Sequence, residues 1–220
     1  DVEKLTLATP VVTVKNSATG VKVTWKAIDG AESYKVYRKT YSTKTKKYGS
    51  WKTCGTVTTT SYVDTKAKSG TKYIYTVKAF NGDTKSGIKN SSSILFLAQP
   101  TVKIANASTG VKVKWNKITG ATGYKVYRAE YKNGKWSSWK GMKTIDKGST
   151  VSYTDKSAKS GVKYKYTVKA VNGKTASTYK SSSSLLYLAQ PKVAVKALSN
   201  GIKVAWVQST GATSYKIYRS

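Results

Sequence analysis

The chain has 220 residues and sets 40 lysines and arginines against 9 acids, with no histidine, for a formal net charge of +31. Hydrophobic residues make up 39% and aromatic residues 11%, which excludes disorder from low hydrophobicity despite the charge. With no histidine and a single cysteine, neither a Ser-His-Asp nor a Cys-His arrangement can be assembled, so the segment is expected to be no enzyme and to hold no cofactor or metal.

Cys54 is the only cysteine, so no intrachain disulfide can form and stability must come from core packing. The longest apolar run, Ile94 to Ala98, is far too short to insert into a bilayer. Asp1 opens the chain without a basic and apolar leader, as expected of a processed protein or an excised fragment.

In chain order, the first predicted strand follows Pro10. In Val21-Lys22-Val23-Thr24-Trp25 the odd positions are apolar, so a period of two turns Val21, Val23 and Trp25 inward and Lys22 outward. A third strand covers Tyr34 to Arg38, and a variable aromatic segment runs from Tyr41 to Lys52. Ser61 to Asp64 (SYVD) forms the next strand. Tyr73, Tyr75, Val77 and Ala79 form the inward face of another, closed by a turn at Asn81-Gly82. The serine run Ser91 to Ser93 leads a final strand and is read as polar strand or bulge rather than linker.

The same order then recurs with a period of about 90 residues, the signature of a domain array. GVKVTW from Gly20 returns as GVKVKW from Gly110 and GIKVAW from Gly201, and AESYKVYR returns as ATGYKVYR and ATSYKIYR. The expected domains are residues 1–98, 99–189 and the N-terminal part of a third at 190–220. The third copy stops where Lys39 and Ala129 stand in the others, so the natural protein is expected to continue. LFLAQP and LYLAQP join the units without a Gly/Ser hinge, which implies a semi-rigid rod. The fold class is all-β: tandem seven-stranded, two-sheet β-sandwiches of immunoglobulin-like architecture in an extended rod. The core is assigned to Trp25, Tyr73, Val77, Trp115, Tyr164, Val168 and Trp206.

The order of strand-B tryptophan (Trp25, Trp115, Trp206), strand-C Tyr-x-Val (Tyr34 and Val36, Tyr124 and Val126) and strand-F Tyr-x-Tyr-x-Val-x-Ala (Tyr73 to Ala79, Tyr164 to Ala170) resembles the fibronectin type III family. SYVDTKAKSGTKYIYTVKA and SYTDKSAKSGVKYKYTVKA resemble the version found in bacterial surface proteins and secreted polysaccharide-degrading enzymes. The family's leucine and proline before the corner tyrosine are replaced by Ala67 and Ser69, and by Ala158 and Ser160. No Arg-Gly-Asp tripeptide occurs. The resemblance implies spacers, adhesins or accessory modules and does not choose among them.

Three features are candidates for function. Asp64 and Asp155 recur without a second acid nearby, which suits a side chain that caps the turn into the next strand better than Ca²⁺ or catalysis. In the variable segment, Tyr48 aligns with Trp136 and Trp51 with Trp139; interleaved with lysine, these rings suit stacking on sugars or simply packing at the sheet edge. Lys22, Lys112 and Lys203, and Lys35, Lys125 and Lys216, recur on outward strand faces and suit either polyanion contact or edge protection. Only Arg38, Arg128 and Arg219 are arginines, which argues against sequence-specific nucleic-acid recognition.

The expected role is a non-catalytic spacer and adhesion array of a larger bacterial extracellular or cell-surface protein. Its expected partners are anionic cell-wall polymers or glycans and neighbouring repeats or subunits. The alternatives are carbohydrate-binding modules of a secreted polysaccharide-degrading enzyme, and a structural subunit of a surface filament or phage particle.

Overall fold

The computed structural model describes residues 5–219, so the outer bounds of the expected domains at residues 1–4 and 220 lie outside it. In the first repeat the strands are β1 (Thr13–Asn16), β2 (Val21–Thr24), β3 (Ser33–Ser42), β4 (Lys47–Tyr48), β5 (Lys52–Val57), β6 (Ser61–Asp64), β7 (Lys72–Asn81), β8 (Thr84–Lys85) and β9 (Ile94–Leu95). One sheet has the order β1-β2-β6; the other has β4-β3-β7-β8, with β5 also on β3 and β9 also on β7. The pairings are antiparallel, with β2 set against β6 by Val21 opposite Asp64, and β3 against β7 by Val36 opposite Val77.

The second repeat has β10 (Val102–Ala107), β11 (Gly110–Trp115), β12 (Gly123–Lys132), β13 (Lys135–Trp136), β14 (Lys140–Ile145), β15 (Ser152–Asp155), β16 (Lys163–Asn172), β17 (Thr175–Ala176) and β18 (Leu185–Leu186). Its sheets repeat the same orders, β10-β11-β15 and β13-β12-β16-β17. Residues 190–219 contribute one hairpin, β19 (Val193–Leu198) with β20 (Gly201–Trp206).

Alternation buries the residues the sequence selects. Val21, Val23 and Trp25 of the first sheet and Tyr34, Val36, Tyr73, Tyr75, Val77 and Ala79 of the second form one core. Their counterparts from Val111 to Ala170 are buried likewise, including Trp115, Tyr164 and Val168. Trp206, assigned to the core, is 36% exposed, because the strands that cover Trp25 and Trp115 have no counterpart beside it among the described residues. The corner holds despite its departures from the family pattern: the backbone N–H of Lys68 donates to Tyr73 Oη at 2.8 Å, and that of Lys159 to Tyr164 Oη at 2.9 Å.

The final strand is short. Continuous pairing covers Ile94–Leu95 and Leu185–Leu186, and before it the edge is held by serines that bond through both backbone and hydroxyl. Ser91 Oγ accepts the N–H of Tyr75 at 3.0 Å, and Ser86 Oγ accepts that of Ala79 at 2.9 Å. Ser182 and Ser177 do the same for Tyr166 and Ala170, both at 3.0 Å. Each serine also donates its own N–H to the carbonyl of the same residue, at 2.8 Å for Ser91 and Ser182 and 2.9 Å for Ser86 and Ser177, so both backbone groups of the facing strand residue are satisfied.

Glycine fixes one close approach in each repeat. A Cβ on Gly20 would lie 2.1 Å from the Asp64 carbonyl oxygen, and one on Gly110 would lie 2.1 Å from that of Asp155. Gly20→Ala is expected to destabilise the first repeat by about 3 kcal/mol through overpacking against backbone. Gly141→Ala, whose Cβ would meet nothing within 4 Å, is expected to shift stability by less than about 0.5 kcal/mol. Urea unfolding curves check both, and equal effects would refute the assignment.

Candidate functional site

Two places in each repeat gather chemistry: a buried ionic cluster between the sheets and an aromatic hairpin at one end of the larger sheet. The cluster begins with the Tyr-Lys-Val-Tyr-Arg strand. A β-bulge between Val36 and Tyr37, matched between Val126 and Tyr127, changes the pairing with β5 and β14 just before the arginine. Arg38 Nη1 then donates to Asp64 Oδ2 across the sandwich, and Tyr75 Oη donates to the same oxygen at 2.9 Å. The Arg38 guanidinium also lies 5.2 Å from the centroid of the Tyr73 ring.

In the second repeat Asp155 Oδ2 accepts from Arg128 Nη1 and Tyr166 Oη, both at 2.7 Å. Asp155 Oδ1 accepts the N–H of Ser157 at 3.0 Å and its hydroxyl at 2.7 Å. Glu130 adds a second carboxylate to Arg128. The recurring aspartate does cap a turn, at Lys66 and Ser157. The sequence reading misses its larger role as the buried partner of arginine. A signal was present: the three arginines of the chain all occupy one position of the repeat.

Protonation follows from this setting. Burial alone would raise the Asp155 carboxyl, but hydrogen bonds from Ser157, Tyr166 and Arg128, with the guanidinium charge, hold it below its ordinary value. The Tyr75 and Tyr166 hydroxyls are pushed up, first by burial and then by their aspartate neighbours. At neutral pH Asp155 is therefore held as a carboxylate, and the Tyr75 and Tyr166 hydroxyls stay protonated. Cys54, the residue at the first bulge, has its thiol pushed up to about 12, first by burial and then by Asp64, which outweigh Arg38 and Lys66.

The hairpins lie on the surface. Tyr41 pairs in register with Tyr48, and Tyr131 with Trp136. The rings of each pair meet with centroids 5.2 Å apart. The turn of the second is Asn133-Gly134, both left-handed at φ 52° and 77°, as a tight two-residue hairpin requires. Lysines roof the rings: Lys72 Nζ lies 5.9 Å from Tyr41 and Lys39 Nζ 4.8 Å from Trp51. In the second repeat Lys163 Nζ lies 5.9 Å from Tyr131 and Lys165 Nζ 4.4 Å from Trp136.

Tyr48 and Trp136 are thus brought together with Tyr41 and Tyr131, which the sequence reading did not single out as contact residues. Trp51 and Trp139 are half-buried in the loops before β5 and β14. A shallow hollow of about 360 Å³ between Tyr41, Thr45, Lys47 and Tyr48 opens beside the first ring pair.

The selected lysines do not share a face. Lys22 and Lys112 lie on the smaller sheets, opposite Lys15 and Ala105, and are half-buried rather than fully outward. Their stems lie along the sheet while the ammonium reaches water. Lys35 and Lys125 belong to the larger sheets, and Lys35 is half-buried opposite Lys78. Lys203 pairs opposite Lys196 in the last hairpin, and Lys216 is exposed. Like charges directly opposite one another on a sheet are mutually repulsive.

Asp155→Ala is expected to cost the second repeat about 3–5 kcal/mol, because it removes the buried carboxylate from the pair and leaves the Arg128 guanidinium with the half-exposed Glu130 as its one acid partner. The stability Asp155 contributes is fully present above the ordinary carboxylate value of about 3.9 and is lost as pH falls through its depressed folded value. Acid unfolding of the wild type, followed by tyrosine near-ultraviolet dichroism, should therefore show a loss below about pH 4 that Asp155→Asn lacks. A mutant with an unchanged acid limb would refute the linkage. Cys54 is expected to react with a disulfide reagent at pH 8 many-fold faster in urea than in the native chain. Equal rates would contradict its burial.

A family described as the fibronectin type III domain, SaeA third domain, matches residues 10–93. No curated protein matches the chain. The chain is similar to a two-domain fibronectin type III segment of chicken tenascin, with 18% identity over 81% of this chain and 99% of that one at a TM-score of 0.42. It is also similar to chicken CNTN1 domains FN1–FN3, with 18% identity over 83% and 67% at 0.36. A third similar structure is the chicken interferon gamma receptor alpha chain, with 12% identity over 81% and 98% at 0.44. Residues 10–93 match the family directly, and the second repeat rebuilds the same sheet orders, corner and ionic cluster, so the chain carries tandem fibronectin type III-like repeats.

Proposed function

We propose that the chain is a non-catalytic spacer and adhesion module of a bacterial cell-surface protein. Its lysine surface holds an anionic polymer of the cell wall or an anionic glycan. The domain bounds proposed with this reading are 1–98, 99–189 and 190–220.

One observation carries it: in both repeats the part-exposed rings of and beside the hairpin are roofed by lysine ammonium groups, Tyr41 by Lys72 and Trp51 by Lys39 in the first, Tyr131 by Lys163 and Trp136 by Lys165 in the second. A sugar ring stacks on the aromatic face while its phosphate, sulfate or carboxylate meets the ammonium. The net charge of +31 exceeds the ~2–8 that solubility asks of a small domain, so the excess is free to draw a polyanion.

Among the described residues no helix is long and apolar enough to cross a membrane, and no group of three acids, histidines or cysteines is placed to hold a metal.

Binding of the full chain to immobilised wall teichoic acid and to a sulfated glycan, titrated with NaCl, tests the reading. Affinity is expected to fall about tenfold or more between 50 and 300 mM salt, by the screening that governs exposed charge. Trp136→Ala is expected to cost about 1–3 kcal/mol on top of that. Absence of binding at low salt would overturn the proposal. Salt-insensitive binding lost in Trp136→Ala would replace it with neutral-glycan recognition.

A further inference from the structure

The two aromatic hairpins differ in their turns. In the first, Ser42 pairs with Lys47, so four residues, Thr43 to Lys46, make the turn; in the second, Lys132 pairs with Lys135 and Asn133-Gly134 alone make it. The longer turn sets Thr45 on the wall of the hollow of about 360 Å³ beside Tyr41 and Tyr48. The second hairpin has no residue at that place. The wall is held locally: the N–H of Thr45 donates to Ser42 Oγ at 3.2 Å, and Tyr48 Oη and Ser93 Oγ are hydrogen-bonded at 2.6 Å. The turn closes through Lys46 at φ 56°, a left-handed backbone that a residue with a Cβ adopts at a cost. Glycine would fit that backbone better and would carry no charge.

Charge separates the hairpins further. Lys39 to Lys52 holds five lysines and no acid, whereas its counterpart, residues 129–140, holds three lysines and Glu130. Glu130 stands at the place of Thr40, which lines the first hollow, and pairs with Arg128. Lys47 and Lys52 also line that hollow, and neither joins an ion pair among the described residues. Lys39 and Lys72, which stand over the Trp51 and Tyr41 rings, do not line it. The hollow thus offers tyrosine ring surface, the Thr40 and Ser50 hydroxyls and two ammonium groups that no acid of the chain satisfies.

Resting on the anionic-glycan reading above, we propose that this hollow is a binding site for one phosphate-bearing sugar residue, and that the second hairpin offers only an open surface. The phosphate meets Lys47 and Lys52, which act on an oxyanion as point charges. The sugar ring lies against the tyrosine pair, and its hydroxyls meet those of Thr40 and Ser50. A volume of about 360 Å³ stands at the lower end of the ~300–1,000 Å³ of small-molecule sites, which suits a single residue. Thr40 sets the specificity, because an acid there, as at Glu130, opposes the phosphate.

The test is a heteronuclear NMR titration of the full chain with glucose 6-phosphate, with glucose and inorganic phosphate as separate arms. Glucose 6-phosphate is expected to shift the amide signals of Thr40, Thr45, Lys47 and Tyr48 saturably and to leave those of Tyr131 and Trp136 in place. Neither glucose nor phosphate is expected to saturate in the same range. Thr40→Glu should raise the Kd about tenfold or more; the second repeat carries an acid at this position within an intact strand, so the variant keeps the hairpin. Lys47→Ala should raise the Kd about two- to fivefold.

Inorganic phosphate that saturates the same signals as tightly would overturn the site in favour of charge alone. Glucose that does so would overturn the role of the phosphate, and equal shifts at both hairpins, or none at either, would overturn the assignment to the first. The parent reading is decided separately by wall teichoic acid. Polymer binding unchanged in Thr40→Glu, with no response to glucose 6-phosphate, would remove this site and leave that reading. A saturable glucose 6-phosphate response without polymer binding would remove that reading and leave the site.

Discussion

The buried aspartate at the end of the Ser-Tyr-x-Asp strand ties the two sheets of each repeat together. Asp64 and Asp155 belong to the smaller sheet, and the arginine and tyrosine that hold them belong to the larger. Each carboxylate costs desolvation that only these donors offset, so the sheets have one register in which the charge is satisfied. The close approach at Gly20 and Gly110, the bulge before the arginine and the ring stacked on the guanidinium all lead to that point.

This explains how the chain divides its cations. Arginine, with a planar fork that donates to a carboxylate and stacks on a tyrosine, occupies the one position where a cation enters the core. Lysine occupies the surface, where a long stem lies along the sheet and the ammonium stays in water. The positive charge that makes the chain a candidate polyanion binder is therefore independent of what holds the domains together. Surface lysines can be exchanged without touching the sheet-to-sheet tie.

Much of the fold was legible in the residues. Period-two alternation marked Val21, Val23, Trp25, Tyr73, Tyr75, Val77 and Ala79, because a strand between two sheets must turn every second side chain inward. The same rule misjudged Thr76 and Thr167, which it turns outward: both are 1% exposed, and Thr76 Oγ1 donates to the Lys89 carbonyl at 2.9 Å. It also placed Trp206 inside, since alternation records which face is apolar and not whether anything covers it. At the candidate site, Tyr48 and Trp136 were visible as recurring aromatics. Tyr41 and Tyr131, and the lysines above them, emerged only when the hairpins were closed.

The sequence by itself determined the repeat, the strand order, the inward faces and the charge, because each is written in local periodicity and composition. The tertiary structure alone decided that Asp64 and Asp155 meet arginine, that serine hydroxyls accept the strand N–H groups of Tyr75 and Tyr166, and which lysine stands over which ring. Those partners lie on different strands, often in different sheets, and their meeting depends on bulges and crossovers that no local pattern encodes.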